Sequence, residues 1–511
     1  MLTAAALPEH TLAEPTARER LATATLLGAL LLGVAGDLLL RGGGLGLNAL
    51  LLAGMIVSVV AALERRRDAD AAPLPFVLLL PPLAAGAVIA WRASIPLTLG
   101  ALAVTGMSAI LLMDALRTGA SWSLARLEPW PLVRSGALVA RGALAGGARL
   151  AAQDVPADVI ARAGVLRTMN GAWRGLAIAV PVILVLNGLL VTADPIYARM
   201  VGQVVDVDFA SLIGHLAFAS IIAWTAAGVL RTALLDGTPV AAAATRQAKA
   251  ADVLLPLALV DLLFLGFLMV QVRTLVGGAE YVRATAGLSF AEYARRGFFE
   301  LLWVAGLTMP LLLAADTLAP VDHHARRRLR ALMVGAVALL GGILASAAGR
   351  MWLYLQEYGL TELRLYASAA MLWLAMVLAW FGATVLRGRR ERFVGGALVT
   401  ACFTWGALAV AGPDTMIVRT NVSRMARGER FDHAYLTALS ADAVPALAAA
   451  LPRLPAEQRC RVRDWISRDA ASRAAPGRDW RSWTIAGARA DVVAMRVGAC
   501  TPPAAPRAVA R

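Results

Sequence analysis

Charge is scarce in this chain. Only 16% of its 511 residues are Asp, Glu, Lys or Arg, against about a quarter in soluble domains. With 59% apolar residues and a mean hydropathy of +0.66, that scarcity excludes a soluble enzyme as the main reading. Lysine is nearly missing: Lys249 stands alone among 49 basic residues, which reads as the codon bias of a GC-rich bacterial genome. Cysteine is confined to Cys402, Cys460 and Cys500, and no zinc-ligand spacing accompanies them. A phosphate-binding loop, a dinucleotide fingerprint and a nucleophile elbow are lacking as well, so no cofactor or metal is expected. Gly42–Gly44 with Gly46 is glycine-rich, but it lies between two apolar runs and reads as a turn. Asn421-Val422-Ser423 matches a glycosylation sequon only in form.

What the chain does have is a series of apolar blocks about 20 residues long, enough to cross ~30 Å of hydrocarbon. The candidate spans are 22–40, 45–63, 74–91, 95–113, 175–193, 209–229, 253–272, 299–317, 331–349, 368–386 and 394–412. Pro81, Pro82 and a very short turn leave open whether 74–91 and 95–113 cross fully or re-enter. Residues 1–20 are polar, a full-length apolar run follows, and no A-x-A site is present. The expectation is therefore no cleavable signal peptide, with 22–40 retained as the first helix. The fold class is all-α: a polytopic transmembrane bundle of about eleven spans with a small extracytoplasmic helical C-terminal domain.

The net charge of +15 sits in loops between apolar blocks, which points to lipid headgroups rather than nucleic acid. With the N-terminus cytoplasmic, Arg65–Arg67, Arg231, Arg246, Arg326–Arg328, Arg330, Arg387, Arg389, Arg390 and Arg392 all fall inside. The alternation holds at every loop and places the protein in a bacterial inner membrane, with the C-terminus outside. The organisation follows: 1–21 cytoplasmic, 22–113 four helices, 114–174 a basic cytoplasmic segment, 175–412 the main seven-helix bundle, 413–501 an extracytoplasmic domain, and 502–511 a disordered tail. Within 114–174, Arg134, Arg141 and Arg149 share a helix face, which fits a helix in the headgroup layer or one packed under the bundle. In the C-terminal domain, Ser440 is placed to cap a helix through Leu451, a second helix spans roughly 456–472, and a third starts near Asp479. Outside the cytoplasm a Cys460–Cys500 disulfide is permitted, and two unpaired thiols are the other reading. The bilayer is one partner, and 413–501 could meet an extracytoplasmic protein; the small-molecule ligand is unknown.

Ionisable residues within spans are the candidates for chemistry, because burying charge in lipid is unfavourable by several kcal/mol. Asp261 lies at the centre of 253–272, either as a proton or cation relay or as an interhelical hydrogen-bonding group. Asp37 and Arg41 are spaced for a local salt bridge. Asp194, His215 and Glu300 fall near the same end of their spans. Arg350 joins them, followed by Tyr354, Glu357, Tyr358, Thr361, Glu362 and Arg364. If that stretch is helical, Arg350, Tyr354, Tyr358 and Thr361 share a face. It then lines a polar pocket beneath the C-terminal domain, or forms an ordinary interfacial belt.

Residues 358–366, Tyr-Gly-Leu-Thr-Glu-Leu-Arg-Leu-Tyr, resemble the signature of a bacterial membrane family, the domain-of-unknown-function family numbered 4173, related to that numbered 4153. Thr192-Ala193-Asp194-Pro195 and the stretch from Asn421 to Leu447 resemble further segments of it, so that the likeness runs from about 170 to 450. The resemblance implies a polytopic bacterial membrane protein and brings no activity, ligand or catalytic residue. Three functions compete. First comes a non-catalytic membrane component: a sensor, scaffold or envelope-maintenance protein. Second is a secondary transporter coupled through Asp261, weakened by an odd span count and no detectable inverted repeat. Third is a membrane enzyme acting on a lipid-linked substrate, with His215 or Glu300 as base and Arg350 holding an anionic group.

Overall fold

A computed structural model describes residues 16–67, 75–119, 122–155, 186, 190, 193–197, 209–236, 249–286, 298–319, 322–429, 433–474, 479–498 and 500. Among them every regular element is helical, and nine helices are long and apolar enough to cross a membrane. Eight have labels here: α1 Ala17–Leu40, α2 Leu47–Glu64, α4 Ile95–Thr118, α6 Phe209–Leu234, α7 Ala250–Ala286, α8 Phe298–Thr317, α9 His323–Tyr358 and α10 Glu362–Thr384. The ninth is α11, Phe393–Ala411. A shorter apolar segment, Phe76–Trp91, opens with a 3-10 turn and continues as α3, Leu80–Trp91, because Pro81 and Pro82 suit a first helical turn. The expected span 175–193 lies almost wholly outside the described residues, as do the tail 502–511 and most of the N-terminal segment 1–21.

Local chemistry sets the helix ends. Thr16 and Glu19 form a reciprocal capping box on α1, with bonds of 3.2 and 2.7 Å. Asp322 accepts from the Ala325 amide at 2.8 Å to start α9. Gly359, at φ +76°, stops it in a conformation that other residues avoid. At 36 residues, α9 is about 54 Å long. It overruns the hydrocarbon layer and carries its last turn into the C-terminal domain.

Helices meet where small residues let backbones approach, as packing in lipid requires. Gly33 and Gly36 of α1 lie against Ala219, Ile222 and Ala223 of α6. Gly335 and Gly342 of α9 face Asp261 and Leu268 of α7, both pairs seven residues apart, so these helices run parallel in register. A helix beginning with α5, Pro129–Arg141, and continuing through π turns to Asp154 crosses α6. A Cβ on Gly228 there would stand 2.0 Å from the Gly142 carbonyl oxygen. This segment is therefore docked on the bundle through Gly142, Gly146 and Leu150, while Arg141 and Arg149 stay exposed. Asp154 holds it down between Arg231 at 2.5 Å and Arg18 at 3.0 Å.

One apolar core joins α7–α11 around Phe381, Leu312 and Ala336, and another joins α1, α2, α6 and residues 150–155. Trp405 of α11 links the two helix groups through a 3.2 Å bond to the Leu97 carbonyl of α4. Large apolar side chains such as Leu27, Leu31, Leu263, Trp303 and Phe403 point outward, the pattern of a surface solvated by lipid. The C-terminal residues fold as α12 Pro413–Met425, α13 Val444–Ala450, α14 Ala456–Ala474 and α15 Ile485–Val497. Their core includes Leu360 and Leu365 from the α9–α10 junction, so domain and bundle share buried surface. This domain sits at the end opposite the Arg-rich segments 65–67, 326–330 and 387–392.

Candidate functional site

The intramembrane candidates do not form one site. Asp261 faces Gly335, and its buried Oδ1 has no hydrogen-bond partner among the described residues. Ten residues further along α7, Gln271 accepts from Ser346 at 3.2 Å and from Arg350; ten residues are about 15 Å of helix, beyond reach of Asp261. His215 bonds through Nδ1 to Asp37 Oδ2 at 2.5 Å, and Arg41 lies 3.8 Å from the other Asp37 oxygen. Glu300 is exposed in the first turn of α8. Asp194 accepts from the amides of Ile196 at 2.7 Å and Tyr197 at 3.3 Å, which makes it a helix cap.

The stretch after Arg350 is brought together, though not as one helix face. Because Gly359 ends α9, Thr361 leaves that face and caps α10 instead, accepting from the Arg364 amide. Tyr354 and Tyr358 pack edge to face at 5.2 Å. The Arg364 guanidinium lies 4.0 Å over the Tyr354 ring and donates to the carbonyls of Tyr358 and Gly359 at 2.9 and 2.6 Å. Glu362 contributes its amide, which donates to the Tyr435 hydroxyl at 2.6 Å.

The C-terminal domain grips this junction. Arg424 of α12, only 8% exposed, donates to the carbonyls of Leu355 at 3.0 Å, Gln356 at 2.5 Å and Glu357 at 3.2 Å. The Leu355 carbonyl also accepts the Gly359 amide, while those of Gln356 and Glu357 are orphan acceptors at the C-terminus of α9, where the helix dipole favours a cation. Asn421 makes two bonds to one backbone residue, accepting from the Leu360 amide at 3.0 Å and donating to its carbonyl at 2.7 Å.

A second grip is at the α3–α4 corner. Arg92 ends α3 and donates to Asp442 at 3.0 Å and to the carbonyls of Ala409 and Val410 at 2.8 and 3.1 Å. Asp442 also accepts from the Ala93 amide at 2.7 Å. Beside it, Asp414 is fully buried and accepts from the Ser440 hydroxyl and amide at 2.5 and 3.1 Å. Burial pushes the Asp414 carboxyl above its ordinary range, the Ser440 bond opposes that, and the neighbouring Asp442 charge adds to it. A third grip is at the α1–α2 turn, where the Leu47 amide donates to the Trp483 carbonyl at 2.9 Å and Arg481 to that of Leu38. Gly46 passes so close to Ser482 and Trp483 that a Cβ would collide with their backbone.

Between the domain and the α3–α4 corner lies a cavity of about 490 Å³, walled by α12, α13 and α15. Arg92, Arg419, Arg453, Arg489 and Asp442 line it, with Val418, Val422 and several alanines forming its apolar surface. Cys460 and Cys500, 40 residues apart, are joined by a disulfide that ties the last described residue to α14. Cys402 is a free thiol on α11.

A family model described as a domain of unknown function (DUF4153) matches residues 79–450. The chain belongs to that family. The match begins at the start of α3 and ends with α13, so it takes in both polar grips at the α9–α10 junction and the α3–α4 corner. No curated protein and no solved structure matches the chain. Within this DUF4153 region, the stretches that carry the resemblance, 358–366 and 421–447, are the two sides of one contact.

Sequence reasoning missed the partners that come from far along the chain. Arg92 and Asp442 are separated by 350 positions and Arg424 from the α9 carbonyls by nearly 70, so no local spacing announces either contact. The signal that was available is Gly359 followed by Thr361, a stop and a restart that leaves carbonyls to be satisfied from elsewhere. For His215 and Asp37 the signal was weaker: two ionisable residues at similar depth in separate spans.

Proposed function

We propose that this DUF4153 protein is a non-catalytic component of the bacterial inner membrane, a sensor or scaffold. Its C-terminal domain would be the extracytoplasmic recognition part, and the bundle its fixed base. The observation behind this reading is the threefold grip: the domain bonds to the α9–α10 junction and the α3–α4 corner through largely buried polar groups, and to the α1–α2 turn through the more exposed Arg481. Such a mount transmits a load or a ligand-induced shift into the helices, whereas a tethered module would move freely. The extracytoplasmic placement is supported by the arginine-rich segments at the other end and by a disulfide, which persists outside the cytoplasm.

Transport coupled through Asp261 is the second reading, favoured by one observation, a buried carboxyl oxygen with no partner among the described residues. It is less well supported because the Gln271–Arg350 pair on the same interface is about three helical turns from Asp261. Substrate flux unaltered by Asp261→Asn in vesicles removes it. Orientation is tested with Cys402 replaced and single cysteines at Met495 or Arg66. An impermeant maleimide on spheroplasts is expected to label position 495 and leave 66 untouched; the reverse pattern overturns the placement. For the recognition role, a partner that co-purifies with the full chain should be lost on deleting 420–511, and its retention counts against the proposal.

A further inference from the structure

We propose that the cavity between α12, α13, α15 and the α3–α4 corner binds the phosphate group of a ligand at the membrane surface. The inference deepens the reading above and rests on it only for the side of the membrane that the site faces.

Its walls carry four arginines and one acid. Arg92 pairs with Asp442 and donates to two carbonyls, so it neutralises that acid and holds the wall in place. Arg419, Arg453 and Arg489 are exposed, and none has an acidic partner among the described residues. Elsewhere in the same domain arginines do find acids: Arg424 pairs with Glu429, Arg461 with Glu457, Arg473 with Asp469 and Asp491, and Arg481 with Asp479. Arg459, Arg463 and Arg468 bond to carbonyls instead, so what distinguishes Arg419, Arg453 and Arg489 is that all three line one cavity with no acid partner among the described residues.

A cavity of about 490 Å³ falls within the roughly 300–1,000 Å³ of small-molecule sites. It is on the order of 8 Å across, within one Debye length, so the three charges reinforce one another. Guanidinium forks grip pairs of oxygens. A carboxylate offers one such pair, whereas a phosphate offers oxygens on several edges, which suits three arginines on different helices. The valines and alanines alongside would accept an apolar stem next to the charged group. Arg92 ends one membrane-side helix and Ser94 immediately precedes the next, so the cavity lies at the depth of phospholipid headgroups. Headgroup phosphate and soluble phosphate share this chemistry.

The test uses the full-length, disulfide-bonded protein and the variant R453Q/R489Q, with inorganic phosphate as one probe and phosphatidylglycerol in phosphatidylcholine nanodiscs as the other. Binding is read by equilibrium dialysis for phosphate and by native mass spectrometry for lipid. We expect saturable binding of at least one probe by the wild type and an affinity at least tenfold lower in the variant. Lipid binding alone identifies a headgroup; phosphate binding identifies a soluble source. Equal binding by wild type and variant, or no binding of either probe by the wild type, overturns the proposal. Unchanged hydrogen exchange in α12–α15 certifies that the variant folds; if it does not, the single exchange R489Q, at an exposed position, is read in the same way. Reversed labelling at Met495 and Arg66 would change the side of the membrane and leave this result standing.

Discussion

Truncating Arg424 to Ala removes the donor for three carbonyls of the last turn of α9 and the partner of Glu429. A hydrogen bond from a charged donor contributes about 1.5–3 kcal/mol in the folded state. The three are not additive, because carbonyls at a helix end regain water once the side chain is gone. A loss of about 3 kcal/mol follows for the contact between domain and bundle, equivalent to roughly a hundredfold rise in its opening equilibrium. Apolar burial of Leu360 and Leu365 in the domain core continues to hold the remainder. Hydrogen exchange by mass spectrometry on the detergent-purified chain reads this directly. Peptides covering 355–365 and 413–450 should exchange about a hundredfold faster in R424A, while peptides from α1 and α6 stay at the wild-type rate. R424K should lie between, since an ammonium lacks the fork that reaches several carbonyls. Protection in 355–365 unchanged in R424A would refute the claim that this arginine fixes the domain to the bundle.

The raised pKa of Asp414 makes a pH prediction whose sign is fixed. A buried acid that holds its proton in the folded state stabilises below its folded pKa, and that contribution is lost as pH rises from the unfolded value near 4 through the raised one. Domain unfolding, followed by tryptophan fluorescence, should therefore show stability falling as pH rises over that window, and Asp414→Asn, which keeps an acceptor for Ser440, should flatten the profile. A wild-type profile already flat there argues that Asp414 is ionised without penalty. Replacing Cys460 and Cys500 with Ser opens a loop of 40 residues and should lower the domain's stability by about 4 kcal/mol on the chain-entropy account, read as denaturant midpoint in reducing-free buffer. A change below about 1 kcal/mol would place the effect of the disulfide elsewhere. Gly228→Ala puts a methyl group 2.0 Å from the Gly142 carbonyl oxygen, so residues 129–154 should lose their dock on α6 and become protease-sensitive; an unchanged digestion pattern contradicts the crossing.

The membrane character and the helices were legible in the sequence because a bilayer leaves few options. Backbone polar groups must be satisfied within each span, so a run of about 20 apolar residues becomes a helix whatever its neighbours do. Among the described residues, nine helices have that length and hydropathy. Ser440 was legible as a cap for the same local reason, bonding an amide two positions on, whereas the helix expected near Asp479 starts only at Ile485 behind Thr484, and Asp479 opens a single 3-10 turn. Which polar groups meet was decided by tertiary structure. Asp37 reads locally as the partner of Arg41, yet His215, 178 positions away, makes the shorter contact. Thr361 has the spacing of an α9 face, yet a glycine at positive φ turns the chain and makes it a cap. Arg424, Asn421 and Asp442 look like ordinary surface polar residues until the domain folds back onto the bundle, where they satisfy backbone groups that no residue near them in sequence could reach. Spacing along the chain reports what lies within a turn or two of helix. Contacts between helices depend on how the whole set packs, and small residues such as Gly228, Gly335 and Gly342 take on meaning only when the opposing backbone is in place.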